Sequence, residues 1–472
     1  MMRTPRVIGL LLPLALAGCS VGPRYTRPSV PIPLQDSFKE LEGWKAAQPS
    51  DQTRRGNWWK IFGDAELDAL EEQLTLSNQD LKTAEARFRE AREFIAVSRA
   101  GQYPRISTAT SAAFVHYSSN APTFPSTTHL PATGEYILSF DISYEVDMWG
   151  RVHQSVTAAR EEAQAAAADL ENVSLSLHAE LAFNYFELRS ADGQGKLLDD
   201  TVKAYTDALR LTIDRFEGGA VPKSDVAQAR TQLESIRVQA ADIAVQRAAY
   251  EHAIAVLVGK PPAGFHIAPA LLDLQPPNIP VGVPSQLLER RPDIAAAERR
   301  VAAANEQVGI ARAAFFPTVL LSASAGVDAN HLSNLFTWPS SFWTLGPSAA
   351  QSIFDAGHRR AASRAAVANY EASSSSYRQT VLTAFQEVED SLAALRTLEQ
   401  EADQQHAATS SAQESLQIFN DRYIGGADPY LQVIAAQTTA LINKRNDVDI
   451  LRRRMDASVL LIKALGGRWN VF

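Results

Sequence analysis

The residue with the clearest chemistry is Cys19, the only cysteine in a chain of 472 residues. It follows Leu16-Ala17-Gly18 at the end of an apolar segment. A free thiol at such a point can be alkylated by a diacylglycerol, and each acyl CH2 group that enters a bilayer contributes about 0.8 kcal/mol of membrane affinity. A single cysteine excludes an intrachain disulfide and any cysteine-cluster metal site. Cys19 is therefore predicted to carry a covalent lipid.

Residues 1–18, which precede Cys19, have the composition of a secretory signal peptide. Arg3 and Arg6 lead into an apolar core over residues 7–17, which is too short to span a bilayer. The end of this segment resembles the bacterial lipobox, and Ser20, in place of an aspartate, is a sorting cue for the outer membrane in such lipoproteins. The alternative is an ordinary signal peptide with a coincidental cysteine. The sequence predicts an outer-membrane protein of a Gram-negative cell that faces the periplasm.

No other residues have the spacing of a catalytic or metal site. The sequence lacks a nucleotide-binding loop, a G-x-S-x-G nucleophile motif and an H-E-x-x-H zinc motif, and no two of its nine histidines lie four residues apart. Its formal charge of −8 disfavours binding to nucleic acid. We therefore expect a protein that is not an enzyme and that has no cofactor or metal apart from the lipid on Cys19.

The rest of the chain is a duplicated unit. Asp80, Ala84 and Glu85 recur 213 residues later, and the tripeptide Asp214-Arg215-Phe216 recurs as Asp421-Arg422-Tyr423 at an offset of 207. The pattern predicts an extended N-terminal segment (19–63), a first repeat (64–259), a linker (260–284), a second repeat (285–467) and a tail (468–472). Seven of the 24 prolines fall in the linker, as expected for a crossover connection.

Each repeat begins and ends with helical patterns. Apolar residues at alternating steps of three and four predict one helix over 64–101 with a coiled-coil seam; they are Leu67, Leu70, Leu74, Leu81, Ala84, Phe88, Ala91 and Ile95. Alanine-rich stretches predict helical hairpins at 152–258 and 359–465. At 1.5 Å per residue, their long arms would reach about 100 Å. We expect these helices to build a tall helical cylinder, although Gly193 and Gly195 weaken the case for one continuous first arm.

Between these helices lie two predicted β-hairpins, at 103–147 and 315–354. Residues 136–146 alternate apolar and polar side chains, the pattern of a strand between two unlike solvents. The last strand is the weakest because Pro347 removes a hydrogen-bond donor. A soluble sandwich is the alternative, but very long helices between the hairpins fit it poorly. Four strands cannot close a membrane barrel, so two chains would give eight strands and three would give twelve.

Three segments resemble the motifs of the TolC/OprM-like outer membrane factor family, in particular the NodT-like lipoproteins of RND-type efflux systems. They are Val21-Gly22-Pro23 with Tyr25 and Pro28, then Trp58-Trp59-x-x-Phe62-x-Asp64-x-x-Leu67, and Leu287-Leu288-Glu289-Arg290-Arg291-Pro292-Asp293-Ile294 with Phe315-Phe316-Pro317. The resemblance implies a mainly α-helical fold with a transmembrane β-barrel. In that TolC-like homotrimer, four strands per chain form a twelve-stranded barrel that continues into a long periplasmic α-helical barrel. The implied partners are a periplasmic adaptor (membrane fusion protein), an inner-membrane RND pump and outer-membrane lipid, without nucleic acid.

The two helical hairpins turn at glycine and proline residues. On the residues alone these are interhelical turns, in which glycine takes the left-handed conformation and proline suits the next helix. By resemblance they are the periplasmic tips where the adaptor docks, with docking residues Gly218, Gly219, Val221, Pro222, Gly425, Gly426 and Pro429. The resemblance also gives candidates for the gate, namely Asp225, Tyr423, Asp428, Gln432 and Ala435.

At the gate this sequence departs from the family. TolC-like chains have acidic residues where Gln432 and Ala435 stand, and a basic residue where Asp428 stands. We therefore expect packing and other polar contacts to hold the closed state, with weak block by cations. In the barrel, Asp141, Glu145 and Asp147 are predicted to face the lumen, although ordinary solvated acids would occupy the same positions.

The predicted function is passive conduction of drugs and toxic organic molecules from the adaptor and pump to the exterior. Two alternatives remain open on the sequence. One is a duct that secretes polypeptides, and the other is a structural or adhesive lipoprotein that does not conduct.

Overall fold

The computed structural model describes residues 21–28, 57–116, 118, 132–277, 279 and 291–467. The predicted signal peptide, Cys19 and the C-terminal tail lie outside the described residues, as do most of the N-terminal segment and part of the linker. The chain divides into two compact units. The first contains Met1–Ser29, Phe88–Ala166 and Ala296–Tyr377, and the second contains Val30–Arg87, Ala167–Ala295 and Arg378–Phe472.

The first unit contains one antiparallel sheet. Its strands are β1 (Arg105–Val115), β2 (Thr133–Val146), β3 (Thr318–Ala329) and β4 (Ser341–Ala350), paired in the order β1-β2-β3-β4. The hairpin of each repeat is joined to the other by the pairing of β2 with β3, where Phe140 lies opposite Ala325. Pro347 is accommodated on β4, at one edge of this sheet, opposite Leu321.

Seven α-helices make up most of the described chain. They are α1 (Ala65–Ser77), α2 (Gln79–Ala100), α3 (Arg151–Glu217), α4 (Lys223–Leu257), α5 (Pro292–Ala313), α6 (His358–Ile424) and α7 (Tyr430–Ala464). The duplication is visible in their lengths, since α3 and α6 have 67 residues each and α4 and α7 have 35 each. Gly193 and Gly195 lie inside α3 without interrupting it. No helix in the described ranges is both long enough and apolar enough to cross a membrane.

The prediction of a single helix over 64–101 is wrong, because the helix is interrupted at Asn78. This residue has an extended backbone, and its side-chain oxygen accepts a hydrogen bond from the Leu81 N–H at 2.8 Å. Its side-chain amide donates to the Leu257 carbonyl at 2.8 Å. Asn78 therefore caps α2 and fixes it to the end of α4. Leu74 and Leu81 are buried on either side of the break, so the apolar seam continues across it.

Trp58 and Trp59 open the main apolar core of the second unit. Together with Phe62 in a short 3-10 helix, they pack against Phe186 and other buried residues of α3. Asp64 caps α1 by accepting from the Glu66 and Leu67 N–H groups. The Trp58-Trp59-x-x-Phe62-x-Asp64 motif therefore anchors the start of the first repeat by packing and capping.

A buried polar pair lies inside this core. Glu71 on α1 is fully buried, and its Oε2 atom lies 2.5 Å from Nδ1 of His178 on α3. The ring of Trp59 stacks on the His178 ring, with centroids 4.4 Å apart. Burial raises the pKa of Glu71 well above its usual value and lowers the pKa of His178 to about 4. Burial therefore favours the neutral form of both groups, which are joined by a hydrogen bond between the Glu71 carboxyl and the His178 ring.

The motif around Arg291 holds three helices together in the second unit. The Arg291 guanidinium, which is almost fully buried, donates to Asp293 at the start of α5 and to Glu387 of α6, each at 2.6 Å. It also donates to the Ala464 carbonyl at the end of α7, at 3.1 Å. The negative end of α7 thereby receives a cation.

The described part of the proline-rich linker contains one short 3-10 helix, Pro262–Gly264, and is held in place by two arginines. Arg189 of α3 donates to the Ala268 carbonyl at 2.8 Å, and Arg247 of α4 donates to the Ile267 carbonyl at 2.6 Å. Asp192 accepts from both arginines, and also from the Ala270 N–H at 3.1 Å. The crossover therefore follows a defined path over α3 and α4.

Candidate conduction surface and helical tips

The register of the sheet places apolar side chains on one of its faces. Successive residues of a strand point to opposite faces, so Phe140 shares a face with Thr108, Ala325 and Trp343 of the neighbouring strands. This face also carries Ile106, Ala112, Phe114, Leu138, Ile142, Tyr144, Leu321, Ala323, Val327, Leu345 and Pro347. Phe140 is 59% exposed and Trp343 77% exposed. Uncovered apolar surface of this kind is suited to contact with lipid.

The opposite face carries most of the hydroxyl and carboxylate groups of the sheet. Across the middle of the four strands, Asp141 lies between Ser107 and Ser324, and Ser324 lies opposite Thr344. The Ser139 hydroxyl donates to the Asp141 carboxylate at 2.9 Å. The two faces of this one sheet are therefore suited to different solvents.

The three acids predicted to face the lumen have different environments. Asp141 lies within the polar face of β2. Glu145 lies on the same face, but its carboxylate accepts two hydrogen bonds from Arg151, at 2.9 and 2.6 Å. Asp147 lies beyond the end of β2 and accepts from the N–H groups of Val152 and His153, at 3.1 and 2.7 Å. Asp147 therefore caps the first turn of α3, and Asp141, unlike Glu145, has no basic partner among the described residues.

The first helical turn, between α3 and α4, follows the Schellman pattern. Gly219 has a positive φ of 74°, its N–H donates to the Phe216 carbonyl at 2.9 Å, and the Ala220 N–H donates to the Arg215 carbonyl at 2.8 Å. Pro222 caps the N-terminus of α4, and Gly218 and Gly219 are exposed. Val221 packs against the buried cluster of Ala229, Tyr423, Tyr430 and Val433.

The second turn, between α6 and α7, repeats this geometry. Gly426 has a φ of 76°, its N–H donates to the Tyr423 carbonyl at 3.0 Å, and the Ala427 N–H donates to the Arg422 carbonyl at 2.9 Å. Pro429 caps α7 as Pro222 caps α4, and Gly425 is exposed like Gly218. Each turn therefore presents an exposed glycine-rich loop of fixed shape at the end of a long helical hairpin.

An arginine that the sequence analysis did not single out connects the two turns. Arg215 of α3 donates to the carbonyls of Tyr423 and Ile424 at the end of α6, at 2.7 and 2.6 Å. Its guanidinium also lies over the Tyr423 ring, 4.7 Å from the centroid. The available signal was its place in the repeated Asp-Arg-Phe/Tyr tripeptide, but its contacts lie more than 200 residues away along the chain.

The gate candidates fall into two groups by exposure. Tyr423 is 3% exposed and packs against Tyr430, with ring centroids 5.1 Å apart, and burial raises the pKa of Tyr430 to about 12. Asp225 is half-buried at the start of α4, and Asp428 is bound to Arg422 through two hydrogen bonds, at 2.6 and 3.1 Å. Gln432 and Ala435 are exposed, three residues apart on α7. Tyr423 therefore belongs to the packing of the tip, and Gln432 and Ala435 belong to its surface.

Across the described residues, no group of three or more His, Cys, Asp or Glu side chains could hold a metal ion. A model of the family described as outer membrane efflux protein matches residues 70–260 and 283–467, one match for each repeat. The chain belongs to the outer membrane efflux protein family. Members of this family are channels of the outer membrane, and the family is not one of enzymes.

Individual relatives match over nearly the whole chain. The toluene efflux pump outer membrane protein TtgF of Pseudomonas putida is 31% identical over 98% of this chain and 97% of its own length. The pyoverdine export outer membrane protein OpmQ of Pseudomonas aeruginosa is 32% identical over 94% of each chain. A solved structure of the outer-membrane channel OprN superposes with a TM-score of 0.85 at 29% identity, over 96% of this chain and all of the other.

These similarities confirm the predicted family and the TolC-like fold class. The protein is an outer-membrane efflux channel component with a periplasmic helical extension.

Proposed function

We propose that three copies of this chain close a twelve-stranded barrel and form the exit duct of a tripartite, RND-type efflux system. The observation that carries this proposal is the four-stranded sheet with an apolar face and a hydroxyl- and carboxylate-bearing face. Its outer strands, β1 and β4, offer backbone groups that cannot stay unpaired in lipid. Pairing β1 of each copy with β4 of the next removes those edges. The apolar face then contacts lipid and the polar face lines the lumen.

The helical tips are the proposed docking surface for the periplasmic adaptor. Both tips expose glycine-rich loops whose backbone is fixed by Schellman hydrogen bonds and by a proline cap. Small residues leave the backbone open to a partner, which suits contact with the ends of adaptor helices. The inner-membrane pump supplies the energy, and the channel itself conducts passively.

Lipid attachment at Cys19 is consistent with the place of the first described residues. The Val21 N–H donates to the Trp149 carbonyl at 3.4 Å, just after the end of β2. Trp149 stacks on Phe316 with centroids 4.6 Å apart and donates to the Pro317 carbonyl at 2.8 Å. Aromatic side chains are enriched where a membrane meets water. The described chain therefore begins at an end of the sheet that carries stacked aromatic side chains, which suits an anchor to the membrane just before Val21.

The proposed cargo is small toxic organic molecules, because a relative of comparable length is named for toluene efflux. Selection among such molecules would rest mainly with the pump.

Purified protein in a planar bilayer tests the proposal directly. We expect trimers in detergent, discrete current steps, and increased sensitivity to organic solvents and drugs when the gene is deleted. Restoration by the full chain, but not by a Cys19→Ser variant at equal abundance, would support the lipid anchor. A monomer that gives no current would contradict the duct.

Replacing Ala435 with aspartate should create a divalent-cation block of the channel. Ala435 is exposed on α7, six residues after Pro429, at a position where the resemblance to TolC-like chains implies an acid. Three added carboxylates in one ring should increase the affinity of Mg2+ block about tenfold, which corresponds to about 1.4 kcal/mol. The measurement is single-channel current against Mg2+ concentration. Gln228→Asp, at the repeat-equivalent position after the first tip, is the control and should change block little; equal block in both variants, or none in Ala435→Asp, would place the constriction elsewhere.

A further inference from the structure

Two arginines that the repeat makes equivalent have different partners. Arg215 and Arg422 are 207 residues apart, the offset that relates the two tips. Arg215 reaches across to the other hairpin and caps the end of α6 at the Tyr423 and Ile424 carbonyls. Arg422 instead stays within its own turn and binds Asp428 in a two-point ion pair. The difference has a cause in the sequence, since the residue equivalent to Asp428 in the first turn is Val221.

The end of α3, which is the repeat equivalent of the end of α6 that Arg215 caps, is exposed. Phe216 is the repeat equivalent of Tyr423, and Glu217 is the equivalent of Ile424. Tyr423 is 3% exposed beneath Arg215, whereas Phe216 is 40% exposed. Among the described residues, no cation contacts the Phe216 or Glu217 carbonyl. The end of α3 therefore has the aromatic ring and the carbonyl oxygens of an arginine site, but no arginine.

We propose that Arg422 of one copy caps the end of α3 in the neighbouring copy, over Phe216, and that Asp428 competes with this contact. The inference rests on the proposed trimer, in which the two kinds of hairpin alternate around a ring. In that ring each first hairpin lies beside the second hairpin of its own chain, where Arg215 makes its contact, and beside the second hairpin of the neighbouring copy. Arg215 makes the contact between hairpins within the chain, and Arg422 stands at the equivalent position for the contact between chains.

The chemistry of the two contacts allows Arg422 to exchange Asp428 for the end of α3. The planar guanidinium can donate two parallel hydrogen bonds either to a carboxylate or to adjacent carbonyls, and it stacks on an aromatic ring. The α3 C-terminus carries a partial negative charge that attracts a cation. The Arg422 side chain is 56% exposed, so it can change partner without disturbing the core. The contact within the chain has Val221 in place of the competing Asp428, so in the proposal only the contact between chains can exchange partners.

Cross-linking between copies tests the contact. Arg422→Cys combined with Glu217→Cys, treated with a short bismaleimide in outer-membrane vesicles, should give covalent oligomers. Arg215→Cys combined with Ile424→Cys is the matched control, and should give only an internal cross-link. Arg422→Cys alone should give neither, because Cys19 is the only natural cysteine. Trimers that form normally but give no oligomer from the first pair would overturn the inference and leave the proposed duct intact, whereas absence of trimers would count against the duct.

Removing the competitor tests the role of Asp428. Asp428→Val recreates the residue of the first turn and frees Arg422. It should lower the open fraction of single channels roughly two- to fivefold, the size expected of one charge at a helix terminus. The same change in an Arg422→Gln background should have no such effect, because the freed group is then absent. An equal effect of Asp428→Val in both backgrounds would show that Asp428 acts without Arg422 and would overturn the competition.

Discussion

Replacing Phe140 with arginine should prevent the protein from accumulating as a trimer in the outer membrane. Phe140 lies mid-strand on the apolar face of the sheet, beside Thr108 and Ala325. An arginine at the middle of a lipid-facing strand costs about 2–4 kcal/mol in a β-barrel, and three copies would incur that cost three times. The measurement is the amount of heat-resistant trimer in outer-membrane fractions, together with drug sensitivity of the cells.

The control introduces the same side chain on the other face. Thr344 follows Trp343 on β4 and lies opposite Ser324, in the row of polar side chains that includes Asp141. Thr344→Arg should therefore assemble at close to the normal level, with a smaller current through a more positive lumen. Normal assembly of the Phe140→Arg variant, or equal failure of both variants, would refute the assignment of the two faces.

Replacing Glu71 with glutamine should give a variant whose stability, relative to that of the natural protein, increases as the pH rises above 6.5. Burial and, to a smaller extent, the nearby charge of Asp68 favour the neutral form of Glu71 in the folded protein and raise its pKa well above its ordinary 4.5. In the unfolded chain it ionises near 4.5. Its stabilising contribution is complete below that value and is lost as the pH rises toward the folded pKa. Glutamine keeps the shape and a hydrogen-bond donor for His178 but has no proton to lose.

His178 contributes in the opposite sense. Burial lowers its pKa from 6.5 to about 4, so the unfolded chain takes up a proton below 6.5 that the folded protein does not take up until about 4. Between pH 4.5 and 6.5 the two groups offset each other. Above 6.5 the natural protein should become less stable as the pH rises, because the unfolded chain has lost the Glu71 proton that burial retains in the folded protein. The Glu71→Gln variant should lose stability only as the pH falls below 6.5, because His178 then takes up a proton in the unfolded chain but not in the folded protein.

Thermal unfolding of the two proteins between pH 4 and 9 is the measurement. Their difference isolates Glu71, because Asp456 beside Arg452, with a pKa raised to about 7, titrates equally in both. A difference curve that stays flat above pH 6.5 would contradict a neutral pair. A strong loss of stability in the Glu71→Gln variant at every pH would instead indicate an ionised pair.

Periodicity made the elements of this fold predictable, but not their neighbours in space. The alternation over residues 136–146 appears in the structure as β2, which starts earlier, at Thr133. The pairing of β2 with β3 joins strands nearly 200 residues apart, and no local pattern specifies it. Register is set when the apolar face of the whole sheet aligns.

Two element boundaries were not predicted, because the apolar or polar spacing continues across them and only a capping residue marks them. The apolar seam runs through Asn78 without a change of phase, so spacing alone predicted one helix where there are two. Asp147 continued the polar alternation of β2, yet it caps α3. Asparagine and aspartate are strong N-terminal caps, and this preference was the missing signal in both cases.

At the tips, the glycines indicated the turns but not the contacts between them. Gly219 and Gly426 adopt the left-handed conformation that the sequence favoured for these turns. Arg215 and Tyr423, by contrast, are brought together only when the two repeats pack. The buried pair of Glu71 and His178 had no signal at all, because an acid on a charged helix is ordinarily exposed.

The duplication also limits how a partner protein can bind a ring of identical copies of this chain. One chain presents two tips with the same backbone turn, but with Val221 in one and Asp428 in the other. Three copies therefore offer six tips of two alternating kinds, one with Val221 and the other with the ion pair of Arg422 and Asp428. A partner ring of six identical subunits must bind both kinds of tip, or bind them with unequal affinity. In the complex, that partner ring would then have threefold rather than sixfold symmetry.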